Sequence, residues 1–485
     1  MTDIRHVAYP GRIVMVGFGS IGQGVLPLLL RHLGVAAEQI TIVTADAADA
    51  ADAAGRAEAA SYGVRRIEQA LTPENYAAVL APLLAPGDFL LNVSVEVSSL
   101  ALVALCRDKG VLYLDTCIEP WAGGYTDPRL SPSGRSNYAL REAALALRRD
   151  ASSGAPTAVL THGANPGLVS HFVKRALLDL ARDLGLGLSS GQGETVPADR
   201  AGWADLARRL GVKAIHIAER DTQRAAGRPK RRGEFVNTWS IEGFVGEGCQ
   251  PAELGWGSHE RHLPEDGARH EFGSQAAIYL NRPGAATRVR SWTPLEGPYH
   301  GFLITHGEAI SIADYLSVGA GAHPAYRPTV HYAYHPCDDA VLSLHEFAGK
   351  GYVLQPATRL LMAEIGEGMD ELGVLLLGHA KTAYWYGSRL SIEAARLLAP
   401  HNNATSLQVT AAVLGGMVWA IENPAAGIVE PDEIDFARVL SIAAPYLGEL
   451  VGVYGDWTPL NGRARLFPED LDTTDPWQFK NFRVD

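Results

Sequence analysis

The chain has 485 residues, 47% of them hydrophobic and 20% charged, enough material for two or three packed domains of about 150 residues each. Its 42 Lys and Arg against 54 Asp and Glu leave a formal net charge of −12, which disfavours nucleic acid and anionic membranes as partners and suits cationic ones. Four scattered cysteines with no C-x-x-C pair exclude a disulfide framework or a zinc site by spacing, and fit a reducing, cytoplasmic setting.

Met1 to Arg12 is polar and lacks the apolar core of a secretion signal, and no run of about 18 apolar residues predicts a membrane span. A strand predicted over 13–16 then runs into Gly17-Phe18-Gly19-Ser20-Ile21-Gly22, and an apolar helix follows over 21–33. In this setting Gly17 permits the tight turn, Gly19 lets backbone approach a pyrophosphate, and Gly22 lets helix and strand pack closely. With Ser20 and Ile21, the free N–H groups and the positive helix end form a predicted phosphate cradle. A glycine-rich turn that binds nothing is the plainer alternative.

Further strands are predicted over 40–44, 89–93, 111–115 and 158–161, and helices over 75–84, 97–109, 138–149 and 168–184. The rhythm predicts an N-terminal doubly wound, mainly parallel sheet covered on both faces. The alanine- and aspartate-rich stretch 45–60 follows the second strand, where an acid meets the adenine ribose; Asp46 is the candidate, although Thr44 lies nearer the usual spacing. No arginine follows directly, which favours NAD over NADP.

Ligands of such sheets lie beyond the carboxyl ends of the strands. Asn92 and Ser94 therefore qualify for the nicotinamide ribose, with helix capping by Ser94 as the alternative. Asp115, Thr116 and Glu119 lie past the next strand end, where a carboxylate binds an ammonium or moves a proton, or merely caps. Asn165-Pro166 reads equally as an N-cap with proline in the first turn and as a rim-placed binding group. His162 reads as a core histidine.

From about residue 214 the texture becomes β-rich, over 214–219, 235–240, 276–280, 287–292, 299–305 and 329–334. This predicts a second, α+β domain with a mainly antiparallel sheet. The stretch 220–233, with Lys230-Arg231-Arg232, reads as a solvated loop. Helices over 405–421 and 434–446 predict a C-terminal segment packing back on the first domain. The expected divisions are 1–165, 166–403 and 404–485.

In the second domain Glu219, Trp239 and Glu247 combine carboxylates with an indole, which is what a polyamine pocket requires; for Trp239 core packing is the competing role. His306 breaks a strand and is a candidate proton shuttle. No metal-ligand spacing occurs, so no metal is expected.

Taken together, Gly17–Gly22, Asn92-Val93-Ser94-Val95-Glu96, 115–119, Asn165-Pro166-Gly167, Asn237-Thr238-Trp239-Ser240, Thr293-Pro294-Leu295-Glu296-Gly297 and His335-Pro336-Cys337-Asp338-Asp339 resemble the bacterial homospermidine synthases over most of the chain. The wider superfamily resembled is that of saccharopine and carboxynorspermidine dehydrogenases. The resemblance implies a Rossmann domain, a second domain supporting a homodimer, and NAD recycled as a hydride carrier. It implies aminobutyl transfer between two putrescines, with spermidine as a second donor left open. Residue by residue it implies that Trp239 stabilises a cationic imine and that Glu119, Asn165 and His306 lie at the reacting amine. Glu219 and Glu247 would hold ammonium groups, and Asp370 an outer amine, with Glu371 as the alternative register. The pocket names no arginine, which weighs against a substrate carboxylate.

Overall fold

The computed structural model describes residues 4–45, 50–149, 154–186, 189–190, 193–194 and 196–484. Its N-terminal half carries a seven-stranded, all-parallel sheet. Ile13–Val16 is central, flanked by Ile40–Thr44 and Arg65–Glu68 on one side and by Phe89–Asn92, Leu112–Asp115 and Ala158–Val159 on the other. This is the Rossmann order, with the crossover between Ile13–Val16 and Phe89–Asn92 opening the ligand crevice. The core strands are buried at nearly every position, which explains their unbroken apolar runs. Gly22 brings the helix Ser20–His32 so near its strand that a Cβ there would meet the Gly17 carbonyl at 2.9 Å.

Three features of this half differ from expectation. The alanine-rich stretch forms a helix, Ala50–Tyr62, and Arg65–Glu68 adds an edge strand. The other edge, Ile428–Val429, comes from far along the chain. The helix predicted over 97–109 runs over Ser99–Lys109; Ser98 caps it, and Glu96 sits at a φ of +61° in the preceding turn.

The second half is built on an eleven-stranded mixed sheet. Ala214–Asp221 lies between Thr329–His335, its parallel neighbour, and Met369–Leu377, its antiparallel one. Ala383–Ser391 and Glu449–Gly455 continue the sheet antiparallel. The C-terminal stretch is thus not wholly helical: it supplies strands to both sheets as well as the helices Ala404–Glu422 and Phe436–Ala443.

Ala404–Glu422 is long and apolar enough to cross a membrane, yet most of it is buried inside the protein. Its core role explains the composition. Asn402 before it donates to the Gly24 carbonyl of the first helix at 3.0 Å. Asn403 caps it through the Ser406 N–H and donates to the Thr238 and Leu361 carbonyls of the second half. The start of this helix therefore ties the first helix to the second half. The 220–233 loop is also less solvated than expected, because Lys230 turns inward to pair with Glu346.

Candidate functional site

Two groups of loops face each other across a cavity of about 120 Å³. The nucleotide-binding half contributes Ile21, Ser94, Thr116, Glu119 and Asn165. The second half contributes Glu219, Trp239, Glu247, His306 and Tyr332, and the C-terminal helix adds Thr405 and Val409.

The cradle at the first helix fits a dinucleotide. Gly19 precedes that helix with no side-chain cap, and a Cβ on Gly19 would point into open space. The first N–H groups of the helix are thereby left for an anion. Gly17, at a φ of +91°, passes so close to Ser94 that a Cβ would lie 2.8 Å from its backbone. That contact sets the turn beside the cavity mouth. Asp46 lies outside the described residues.

Two expected cofactor contacts are used inside the protein instead. Asn92 is buried and accepts from the Ser94 N–H and hydroxyl. Asp115 is fully buried and accepts from the Thr161 N–H at 2.5 Å and from the Tyr113 hydroxyl at 2.8 Å. Both acts shape the strand ends, and neither side chain lines the cavity. Thr116 and Ser94 do line it.

Glu119 is 3% exposed, and its Oε2 accepts from the Glu96 N–H at 3.2 Å. Burial, reinforced by nearby Glu247 and Asp115, pushes its carboxyl up to about 8. Asn165 does not cap a helix. The following helix begins at Leu168 after Gly167, and the Asn165 amide donates to Glu219 Oε2 at 2.7 Å. That bond joins the two halves across the cavity.

The second sheet explains where the acids point. Side chains alternate along a strand, so Glu219 and Asp221 share a face. Asp370 is paired with Asp221 on the next strand and sits on that face too. Glu371 points to the other face, where it meets Arg389 and the Leu295 N–H. Asp370 stands behind the cavity wall, accepting from the Thr405 hydroxyl at 2.6 Å. Asp221 accepts from Thr238 at 2.7 Å and from Gln223. Burial raises all three carboxyls, with Glu219 reaching about 7 despite hydrogen bonds from Tyr332 and Asn165. A lone buried carboxylate costs on the order of several kcal/mol, so burial favours the protonated form of these acids and a neighbouring cation favours the carboxylate.

Trp239 is half-buried, and its Nε1 donates to the Tyr334 hydroxyl at 3.0 Å while the ring packs on Phe244. The indole therefore serves core packing and cavity wall together. Glu247 and His306 meet at 3.0 Å. The backbone just before His306 is held by Glu253, which accepts from the Thr305 hydroxyl and from the first N–H groups of the helix Asn137–Arg149. Arg141 on that helix pairs with Asp314 and Glu430, so the two halves are clamped behind His306.

Tyr332, Tyr334, Thr405, Cys117 and Asp221 complete the site without having been assigned from sequence. The i, i+2 tyrosines on one strand were the only local signal. Thr405 and Asp221 depend on pairings between distant segments.

The chain resembles known proteins throughout. The family described as the saccharopine dehydrogenase NADP binding domain matches residues 13–159, and the saccharopine dehydrogenase C-terminal domain matches 163–456. A homospermidine synthase from Blastochloris viridis is 58% identical over 98% of this chain and 97% of its own. One from Mesorhizobium japonicum is 53% identical over 98% and 96%. A crystal structure of the Legionella pneumophila homospermidine synthase in complex with NAD superposes with a TM-score of 0.89 at 48% identity, covering 99% of each chain. With both halves matched and relatives aligned end to end, the chain belongs to the homospermidine synthase family.

Proposed function

We propose that the protein joins two putrescine molecules into sym-homospermidine with release of ammonia, using one NAD repeatedly. The observation that carries this reading is the cavity itself. Three carboxylates and an amide, Glu119, Glu219, Glu247 and Asn165, surround an indole beside a dinucleotide cradle, and no arginine among the described residues lines it. A saccharopine-type substrate carries a carboxylate and would want a guanidinium fork. A short alkyl diamine wants anions at its ends and an aromatic face between them.

When bound, NAD supplies a hydride acceptor and later the donor; the protein positions and balances charge. Glu219, bonded to Asn165 and Tyr332, takes the distal ammonium, with Asp370 behind it. Glu119 sits at the Rossmann rim, where a carboxyl poised near neutrality can accept a proton from an incoming amine. Trp239 offers its face to the cationic imine. Glu247 and His306 close the opposite wall. The names of the relatives support the overall reaction, and a homodimer in a cytoplasmic setting belongs to the same proposal.

The test is product analysis after incubation with putrescine and substoichiometric NAD. Several equivalents of homospermidine per NAD are expected. Product capped at one equivalent would assign a net oxidoreductase instead.

A further inference from the structure

His306 is held at both ring nitrogens by carboxylates. Nε2 lies 3.0 Å from Glu247 Oε2, and Nδ1 lies 3.3 Å from Glu308 Oε1. An ionised carboxylate only accepts hydrogen bonds, so each ring nitrogen must carry a proton to satisfy both contacts. A neutral imidazole has one such proton. Glu308 is 1% exposed, and its second oxygen has no hydrogen-bond partner among the described residues. A buried carboxylate so poorly bonded persists only beside a full positive charge.

We propose that Glu308 is a positioning residue which, with Glu247, fixes His306 as a permanent imidazolium, so that His306 keeps both ring protons and shuttles none during turnover. The neighbours agree. Burial alone lowers the imidazole, but Glu308 and Glu247 outweigh it and push it up to about 10. Glu219 on the neighbouring strand adds a third acid, and the Tyr332 ring stands 4.5 Å away on the next strand. From the nucleotide-binding half, the Cys117 thiol lies 3.8 Å from the other Glu247 oxygen, with Glu119 two residues along the same loop. No second base faces the ring from these elements.

The consequence falls on the substrate, and this part rests on the diamine reading above. The imidazolium offsets only one of its two carboxylates, so the group still presents net negative charge to a cationic amine. The fixed imidazolium also replaces the expectation of a histidine proton shuttle and leaves Glu119 as the group poised to move protons.

The first test needs no turnover. Full-length protein carrying 15N-labelled histidine is titrated without ligand, and the His306 signals are identified by their loss in His306→Asn. Both ring nitrogens are expected to report as protonated from about pH 6 to pH 9; a neutral tautomer near pH 8 would overturn the proposal. Glu308→Gln keeps the shape and removes the charge. It should bring His306 deprotonation down by at least about tenfold in proton affinity and add a matching ionisation to the kcat profile, while Glu308→Asp restores the wild-type profile. If Glu308→Gln only lowers the folded fraction and leaves both profiles unchanged, Glu308 is merely structural. Failure of the wild type to make homospermidine would sink the proposed function without touching the imidazole titration.

Discussion

The strand pair Ala214–Asp221 and Thr329–His335 shows two faces of the same backbone with opposite chemistry. One face presents Glu219 and Tyr332 to the cavity and carries Asp221 and Tyr334 beside them. The other stacks His216 on His331 at 3.9 Å, against Phe479 and Phe482. Burial neutralises both. It raises Glu219 to about 7 and lowers His331 to about 4. The difference is access. The histidine face is sealed by aromatic side chains from the C-terminal segment, so its imidazoles stay neutral and fill space. The acid face opens on a cavity, so an incoming dication can turn neutral acids back into carboxylates. Identical burial makes a core on one side and a receptor on the other.

The contrast breaks most sharply at Trp239. Trp239→Ala should lower homospermidine formation by about 30-fold or more, the equivalent of about 2 kcal/mol at an indole face. NAD affinity should stay within about twofold, since the cradle lies on another domain; equal loss of both would remove Trp239 from the substrate site. Glu219→Gln should weaken apparent putrescine affinity about tenfold, the size of a charge-assisted hydrogen bond. An unchanged KM would reassign the distal ammonium.

The two faces also respond to pH in opposite directions. Glu119 and Glu219 are raised above their ordinary 4.5, so their contribution to the stability of the empty protein is complete below that value and lost as pH rises through about 7 to 8. Putrescine restores it, and the rise in Tm with putrescine should be larger near pH 8.5 than near pH 6; a rise of equal size at both would contradict neutral acids in the empty cavity. His331 is depressed, so its contribution is complete above about 6.5 and lost as pH falls through about 4. The smallest effect is expected at that closed face. His331→Phe should improve survival at acid pH and leave kcat within about twofold; a large loss of kcat would show that the faces are coupled.

Much of the nucleotide-binding half was legible in the sequence. Its strands are continuous apolar runs ended by glycine, asparagine or aspartate, and those signals are local. Glu119, Asn165 and Trp239 were legible as rim or aromatic positions, and their meeting in one cavity followed from the family likeness. What stayed hidden was carried by distant pairing. The edge strand Ile428–Val429 has too few residues to announce itself. Met369–Leu377 and Ala383–Ser391 went unread, so the choice between Asp370 and Glu371 waited on the ladder that places one on each face. Of the two readings of Asn165, the helix cap gave way to the rim position for a physical reason: its amide is drawn across the cavity by a buried carboxylate that no local motif reveals.

The central claim is that burial keeps the cavity acids partly protonated near neutral pH and that a bound diamine draws those protons off. Calorimetry of putrescine binding near pH 7.5, repeated in buffers of different ionisation enthalpy with the nucleotide saturating, counts the protons exchanged. Net release of about one proton per putrescine is predicted from acids poised at about 7 and 8. Binding heats that do not change with buffer would contradict it.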